Sequence, residues 1–155
     1  MRVGTGYDIH PFKAGRSLVL GGVHIDFASG LDGHSDADVL THAVIDAILG
    51  AAALGDIGEH FPAGDDQFKD ASSLDLLAEA AKKVRGAGFQ VVNVDSTVIA
   101  EAPALHPHLR AMRAKLADRL GIDRGAVSVK ATSPETIGAL GRRAGIAAQA
   151  IALIE

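Results

Sequence analysis

An aspartate and a histidine stand two residues apart, at Asp8 and His10, within the glycine-bearing run Gly4-Thr5-Gly6-Tyr7-Asp8-Ile9-His10-Pro11. On an extended chain, residues i and i+2 point to the same side, so these two side chains can reach one point in space. A carboxylate oxygen and an imidazole nitrogen converging there suit zinc or a similar divalent ion, provided a third ligand joins them. The sequence has no cysteine, which removes disulfides and thiolate sites and restricts any metal to histidine and carboxylate ligands. His42 is the candidate third ligand, because Asp38 and Asp46 flank it at four-residue spacing and the three form one ridge of a helix. That spacing has two readings. It is either a solvated helix face held by i,i+4 hydrogen bonds, or a ligand whose orientation a ridge carboxylate fixes, with Asp46 the candidate for that contact or for one to substrate.

The elements that must position these residues follow from periodicity. Arg2 to His10 reads as a strand, expected to pair with Ser17–Leu20 across a loop containing Pro11 and Gly15, before Gly21-Gly22 turns into a short Val23–Phe27 piece. Ser35 with Asp38 has capping-box spacing, so a helix is expected to start there and run to about Leu54, ended by Gly55. Its apolar stripe is Val39, Leu40, Ala43, Val44, Ala47, Ile48 and Ala51. Asp56–Pro62 is a tight polar connection, and Ala63–Ala71 has the composition of a mobile loop or lid. Ser72 or Ser73 is placed to cap a helix to Arg85, with Leu74, Leu77, Ala78, Ala81 and Val84 inward. Phe89–Glu101 reads as a long strand, His108–Leu120 as an amphipathic helix stopped by Gly121, and Val127–Ala131 as a strand. Ile146–Ile154, apolar apart from Gln149, reads as a strand buried on both faces, inside the subunit or in an oligomer interface.

These elements predict an α+β fold in one domain spanning residues 1–155, with a mixed β-sheet and helices packed on one face. A formal net charge of −4 argues against a general polyanion binder, so nucleic acid is not the expected partner. The chain shows neither a leader pattern nor an apolar run of membrane-spanning length, and a cytoplasmic protein with no membrane partner is the expectation.

Taken together and in order, several motifs resemble those of the 2-C-methyl-D-erythritol 2,4-cyclodiphosphate synthase family. They are Gly4-x-Gly6-Tyr7-Asp8-Ile9-His10, Gly21-Gly22-Val23, His34-Ser35-Asp36-x-Asp38, Gly50–Gly58 with Phe61-Pro62, Asn93-Val94-Asp95, Ile99-Ala100-x-Ala102-Pro103 and Val129-Lys130-Ala131-Thr132. The resemblance covers essentially the whole chain. It implies a homotrimer whose sheets face the central axis, with active sites between subunits. It also implies zinc on Asp8, His10 and His42 and a second ion, magnesium or manganese, on Glu135. The implied reaction is attack of the 2-phosphate of 4-diphosphocytidyl-methylerythritol 2-phosphate on the diphosphate phosphorus bonded to the erythritol, releasing CMP and closing an eight-membered ring.

The resemblance assigns transition-state stabilisation to His34 and Ser133. It assigns substrate binding to Ser35, Asp56, Ile57, Gly58, Phe61, Pro62, Ala63, Gly64, Asp65 and Arg142. The cytidine pocket falls on Ala100, Glu101, Ala102, Pro103, Ala104, Leu105 and His106, with Ala131, Thr132 and Ser133, contributed by the neighbouring subunit. Ser133 replaces a common threonine, and Ala104 and Ala139 stand where relatives often carry lysine and phenylalanine. Ala144 replaces a glutamate associated with the trimer's central cavity, so isoprenoid binding there is not carried over. His24, His60 and His108 are expected as plain surface residues, as is His106 unless it joins the cytidine segment.

Two other readings use the same residues. A metal-dependent phosphohydrolase would place water where the 2-phosphate attacks. A scaffold with structural zinc would require a fourth protein ligand, for which the sequence offers no obvious candidate.

Overall fold

The computed structural model describes residues 1–155. Strand β1 (Arg2–Ala14) is followed by β2 (Leu18–Leu20), β3 (Val23–Ile25) and β4 (Ser29–Leu31). Helix α1 (Val39–Ala51) then leads to the short α2 (Ile57–His60) and to α3 (Ser73–Gly86). Strand β5 (Val91–Ile99), helix α4 (Leu109–Leu120), strand β6 (Val127–Thr132), the single turn α5 (Gly138–Gly141) and strand β7 (Gly145–Ile154) complete the chain. Five strands form one mixed sheet in the order β4-β1-β7-β5-β6, in which only β5 and β6 run parallel. No helix is long and apolar enough to cross a membrane.

Helix α1 is the centre of the core. Leu40, Ile45, Ile48 and Leu49 are fully buried, and of the whole helix only Asp46 and Gly50 reach solvent appreciably. A helix apolar nearly all round belongs between layers: α1 packs on β1 and β7 on one side and on α3 on the other, and α4 packs on α3 and β6. Each such Leu or Ile contributes about 1.5–3 kcal/mol by leaving water. The helices cover one face of the sheet, as expected. On the opposite face of β1 and β7, Val3, Tyr7, Ile9 and Ile151 are exposed.

Several expectations are corrected. β1 does not pair with Ser17–Leu20: Arg2–Pro11 pairs with β7, Phe12–Ala14 pairs with β4, and β2 forms a separate hairpin with β3. Ten consecutive β1–β7 pairs join the two long strands, which a three-residue neighbour could not match. The N-cap of α1 is Asp38 rather than Ser35. The Asp38 carboxylate accepts from Thr41 N at 3.0 Å and Thr41 Oγ1 at 2.7 Å, and from Gly21 N at 2.9 Å and Gly22 N at 2.7 Å. These four donors satisfy a fully buried carboxylate and tie the β2–β3 turn to the helix start. The ridge Asp38–His42–Asp46 is therefore not a solvated face. Helix α1 ends at Ala51, three residues early, where Ala53 takes a left-handed φ of 58°. In α3, Leu76 and Ala80 are buried where the stripe had Ala78. Strand β7 is not buried on both faces within the subunit, because Gln149 and Ile151 are exposed.

Candidate metal centre and substrate cleft

The alternation of β1 sends Gly4, Gly6, Asp8 and His10 to the face covered by α1. A Cβ on Gly6 would stand 1.9 Å from the Ala43 carbonyl oxygen, and one on Gly4 would stand 2.2 Å from that of Ala47. Any side chain at either position would push the helix away from the strand, so the two glycines set the close approach of α1. The same approach brings His42 over Asp8.

Three ligand atoms converge there. His10 Nε2 and His42 Nδ1 each lie 2.9 Å from Asp8 Oδ2, and one atom from each of the three residues falls within 4.8 Å of the others. The other ring nitrogen of His10, Nδ1, is 2.6 Å from the Asp32 carbonyl oxygen. A carbonyl only accepts, so His10 Nδ1 carries a proton and donates, leaving Nε2 as the atom facing Asp8. Burial raises the Asp8 pKa, but the hydrogen bonds of His10 and His42 outweigh it and hold the carboxyl well below the usual carboxylate range. The hydrogen bond to Asp8 raises the His10 pKa above its ordinary value, against burial. A carboxylate kept ionised between two imidazoles is the donor set of a divalent cation with borderline softness, which fits zinc. No fourth His, Cys, Asp or Glu joins the cluster, so an ion here would keep a coordination position open, as a catalytic site requires.

A cavity of about 240 Å³ opens over this cluster, lined by Asp8, His10, His34, Ser35, His42, Asp46, Ile57, Gly58, Phe61 and Ala63, with Phe68 and Leu76. His34 Nε2 lies 3.1 Å from the Asp65 carbonyl oxygen, which ties this residue to the loop expected to be mobile. That loop carries a 3-10 turn at Asp66–Phe68 and returns the bonds Asp70 N to His34 O and Asp36 N to Ala71 O. Ser35 is buried and lies ahead of the helix rather than at its first turn. Its Oγ is 3.1 Å from His42 Nε2 and accepts from Ala37 N at 3.2 Å. Asp46 makes no hydrogen bond or ion pair with His42, whose ring has Asp8, Ser35 and Ser73 as its polar partners. It accepts from Ile57 N at 2.8 Å and so fixes the start of α2, and burial pushes its pKa up. Asp56 caps α2 by accepting from Glu59 N at 3.0 Å.

A second cavity, of about 290 Å³, is lined by Ala100, Glu101, Pro103, Ala104, Leu105, His106, Ala131, Thr132 and Ser133. It joins the loop after β5 to the end of β6, which the parallel pairing Ile99↔Thr132 holds side by side. The Glu101 carboxylate accepts from Ser133 Oγ and from Thr136 N, both at 3.2 Å, and Ser133 Oγ accepts from Glu135 N at 2.9 Å. These bonds hold Glu135 and Thr136 in left-handed conformations, φ 52° and 62°, at the turn after β6.

Within one chain the structure thus assembles two groups. Glu135 belongs to neither cavity lining nor to the metal cluster, and Asp56, Arg142, Pro62, Gly64, Asp65 and Ala102 line neither cavity. Among the other histidines, His24 is exposed, His60 Nε2 lies 2.7 Å from the Leu54 carbonyl, and His106 lines the second cavity. Sequence reasoning missed Phe68 and Leu76 as cleft residues and the pairing of Ser73 with Asp36 behind His42. Leu76 was legible only as an apolar residue in a capped helix, and Ser73 only as a capping candidate.

The whole chain, residues 1–155, matches the YgbB family. It is similar to the 2-C-methyl-D-erythritol 2,4-cyclodiphosphate synthase of Syntrophomonas wolfei, 58% identical over 155 residues, covering all of this chain and 99% of that protein. A similar protein of the same name from Laribacter hongkongensis is also 58% identical, with 96% of its length covered. Among solved structures, the bifunctional IspDF of Campylobacter jejuni aligns with a TM-score of 0.95 at 44% identity, over 99% of this chain and 42% of that longer one. The IspF of Plasmodium falciparum in complex with CDP aligns with a TM-score of 0.86 at 33% identity, over 99% of this chain and 94% of the other.

Proposed function

Because the chain belongs to the YgbB family of 2-C-methyl-D-erythritol 2,4-cyclodiphosphate synthases, we infer that it converts 4-diphosphocytidyl-2-C-methyl-D-erythritol 2-phosphate to the 2,4-cyclodiphosphate and CMP. It is an enzyme of the non-mevalonate route to isoprenoid precursors, a cyclising phosphorus–oxygen lyase. The observation that carries the metal-assisted form of this reading is the convergence of Asp8, His10 and His42 at the floor of an open cleft.

Nucleophile and electrophile share one molecule, so no protein nucleophile is needed and the residues act by folding the substrate and matching its charge. In this reading Asp8, His10 and His42 hold zinc, and Glu135 holds magnesium or manganese. Bound there, such ions supply Lewis-acid neutralisation of the repelling phosphate groups. Ile57 and Gly58 in the cleft lining, with the preceding Asp56, receive the methylerythritol hydroxyls, and Phe61, Pro62, Ala63, Gly64 and Asp65 adjoin them. Asp46 supports that lining through its bond to Ile57 N. His34, bonded to the Asp65 carbonyl, and the Ser133 hydroxyl stabilise charge as the ring closes. Ala100–His106 and Ala131–Ser133 take the cytidine, and Arg142 contributes to substrate binding.

The two cavities complete one site if neighbouring subunits share it; the exposed Val3, Tyr7, Ile9 and Ile151 support a sheet face covered by other copies, and the family resemblance makes that assembly a homotrimer whose sheets face its axis. A substrate bearing this many phosphate charges suits a cytoplasmic enzyme, with neither membrane nor nucleic acid as partner. The reading is tested by phosphorus NMR of the protein with this substrate, magnesium and trace zinc. CMP together with a cyclic diphosphate is the expected result, and linear hydrolysis products would replace the cyclase by a phosphohydrolase.

A further inference from the structure

We propose that Ser73 and Asp36 form a positioning pair that fixes the tautomer of His42, placing the ring proton on Nε2 so that Nδ1 is the atom offered to the metal. The proposal rests on reading Asp8, His10 and His42 as a cation site.

The direction of the chain of bonds follows from what each group can do. A carboxylate only accepts. The Asp36 carboxylate receives the Ser73 backbone N–H on Oδ2 at 2.9 Å and the Ser73 hydroxyl proton on Oδ1. Having donated its one proton, Ser73 Oγ can only accept from its remaining neighbour, His42 Nε2, at 2.9 Å. Ser35 Oγ, also beside Nε2 at 3.1 Å, accepts from Ala37 N and keeps its own proton. A donation from it would turn the Nε2 lone pair against the lone pairs of the closer Ser73 Oγ, whereas a proton on Nε2 satisfies both hydroxyl oxygens. His42 Nε2 therefore carries a proton, so a cation that replaces the hydrogen bond between Nδ1 and Asp8 Oδ2, 2.9 Å apart, meets the Nδ1 lone pair. The pair does for His42 what the Asp32 carbonyl does for His10: each binds the ring nitrogen that faces away from the cluster.

The bonding is built into the fold. Ser73 is fully buried and His42 nearly so, and no buried side-chain polar atom lacks a partner. Ser73 is also the first residue of α3, and Ser72, its N-cap, makes no side-chain capping bond. The Asp36 carboxylate takes over that role through the Ser73 N–H, so one residue caps α3 and orients the ring. Helix α3, which contributes Leu76 to the cleft, is thereby joined to the metal ligand on α1.

The capping and orienting roles separate in Ser73→Ala, which keeps the backbone N–H to Asp36 and removes the hydroxyl. Zinc affinity, measured by chelator competition, is expected to fall about 10–100-fold in Ser73→Ala and to return in Ser73→Thr, in line with the loss of other outer partners of ligating histidines. Nitrogen-15 spectra of histidine-labelled, zinc-loaded wild-type protein should show the His42 proton on Nε2, a readout that needs no variant to fold. Unchanged affinity in a folded Ser73→Ala protein, or a proton on His42 Nδ1 in the wild type, would overturn the proposal alone. A wild-type protein that binds no zinc would overturn it together with the reading of the cation site.

Discussion

His42 Nδ1 lies 2.9 Å from Asp8 Oδ2 although 34 residues separate them in the chain, and that one distance joins the buried helix α1 to the sheet. Substituting Asp8 by Asn keeps the shape and removes the charge that both imidazoles face. Zinc affinity should fall by more than the ~10–100-fold typical for a partner outside the ligand shell. Chelator competition checks this, and wild-type affinity in Asp8→Asn would remove Asp8 from the site.

The metal-free protein has a predictable pH dependence. His10 has its pKa raised above 6.5, chiefly by its hydrogen bond to Asp8, so its contribution to stability is complete below that value and is lost as pH rises through the folded value. In Asp8, burial opposes the shift but the two histidines hold the pKa below 3.8, so its contribution is present above that value and is lost only in stronger acid. Thermal melts of chelated protein should therefore show a stability advantage over His10→Ala that is largest between pH 3.8 and 6.5 and shrinks above it. A difference that grows towards alkaline pH would contradict the pairing. Zinc competes with the same proton, so its affinity should fall as pH drops through the raised His10 value.

Gly6→Ala tests the strand–helix approach. Its Cβ would stand 1.9 Å from the Ala43 carbonyl oxygen, inside any permitted contact with rigid backbone. A loss of about 1–3 kcal/mol or more is expected in denaturant melts, with zinc affinity weakened because His42 moves with the helix. A variant with unchanged stability would mean that α1 does not rest on β1 at that distance.

Much of the site was legible because it is local. Asp8 and His10 share a face by strand alternation alone, and His42 stood out by its acidic neighbours. The roles of those neighbours were not legible, because they depend on tertiary partners: Asp38 is occupied by Gly21 N and Gly22 N, and Asp46 by Ile57 N. The pairing of β1 was misjudged for a similar reason. Sequence proximity favoured Ser17–Leu20, whereas β7, at the far end of the chain, supplies ten paired residues. The three long helices were legible to within a few residues at each end, since α3 and α4 each show one apolar stripe and α4 stops at Gly121 in the left-handed conformation, φ 73°, whereas the one-turn α2 and α5 are too short to show a period.

Asp38→Ala examines one of those hidden partners. It leaves two glycine N–H groups and the Thr41 N–H and hydroxyl without their acceptor at a fully buried position. Each unsatisfied buried donor costs about 1–3 kcal/mol, so destabilisation of at least about 3 kcal/mol is expected. A shift of the denaturation midpoint by less than about 1 kcal/mol equivalent would show that water replaces the carboxylate there.

The most direct test of the account is metal reconstitution of chelated, folded protein, with bound zinc and CMP release from the diphosphocytidyl substrate measured on the same samples in magnesium. The account predicts that CMP release rises in step with zinc and saturates at one zinc per chain, and that His42→Ala shows neither. Full CMP release from zinc-free protein, or undiminished zinc-dependent release in His42→Ala, would contradict it.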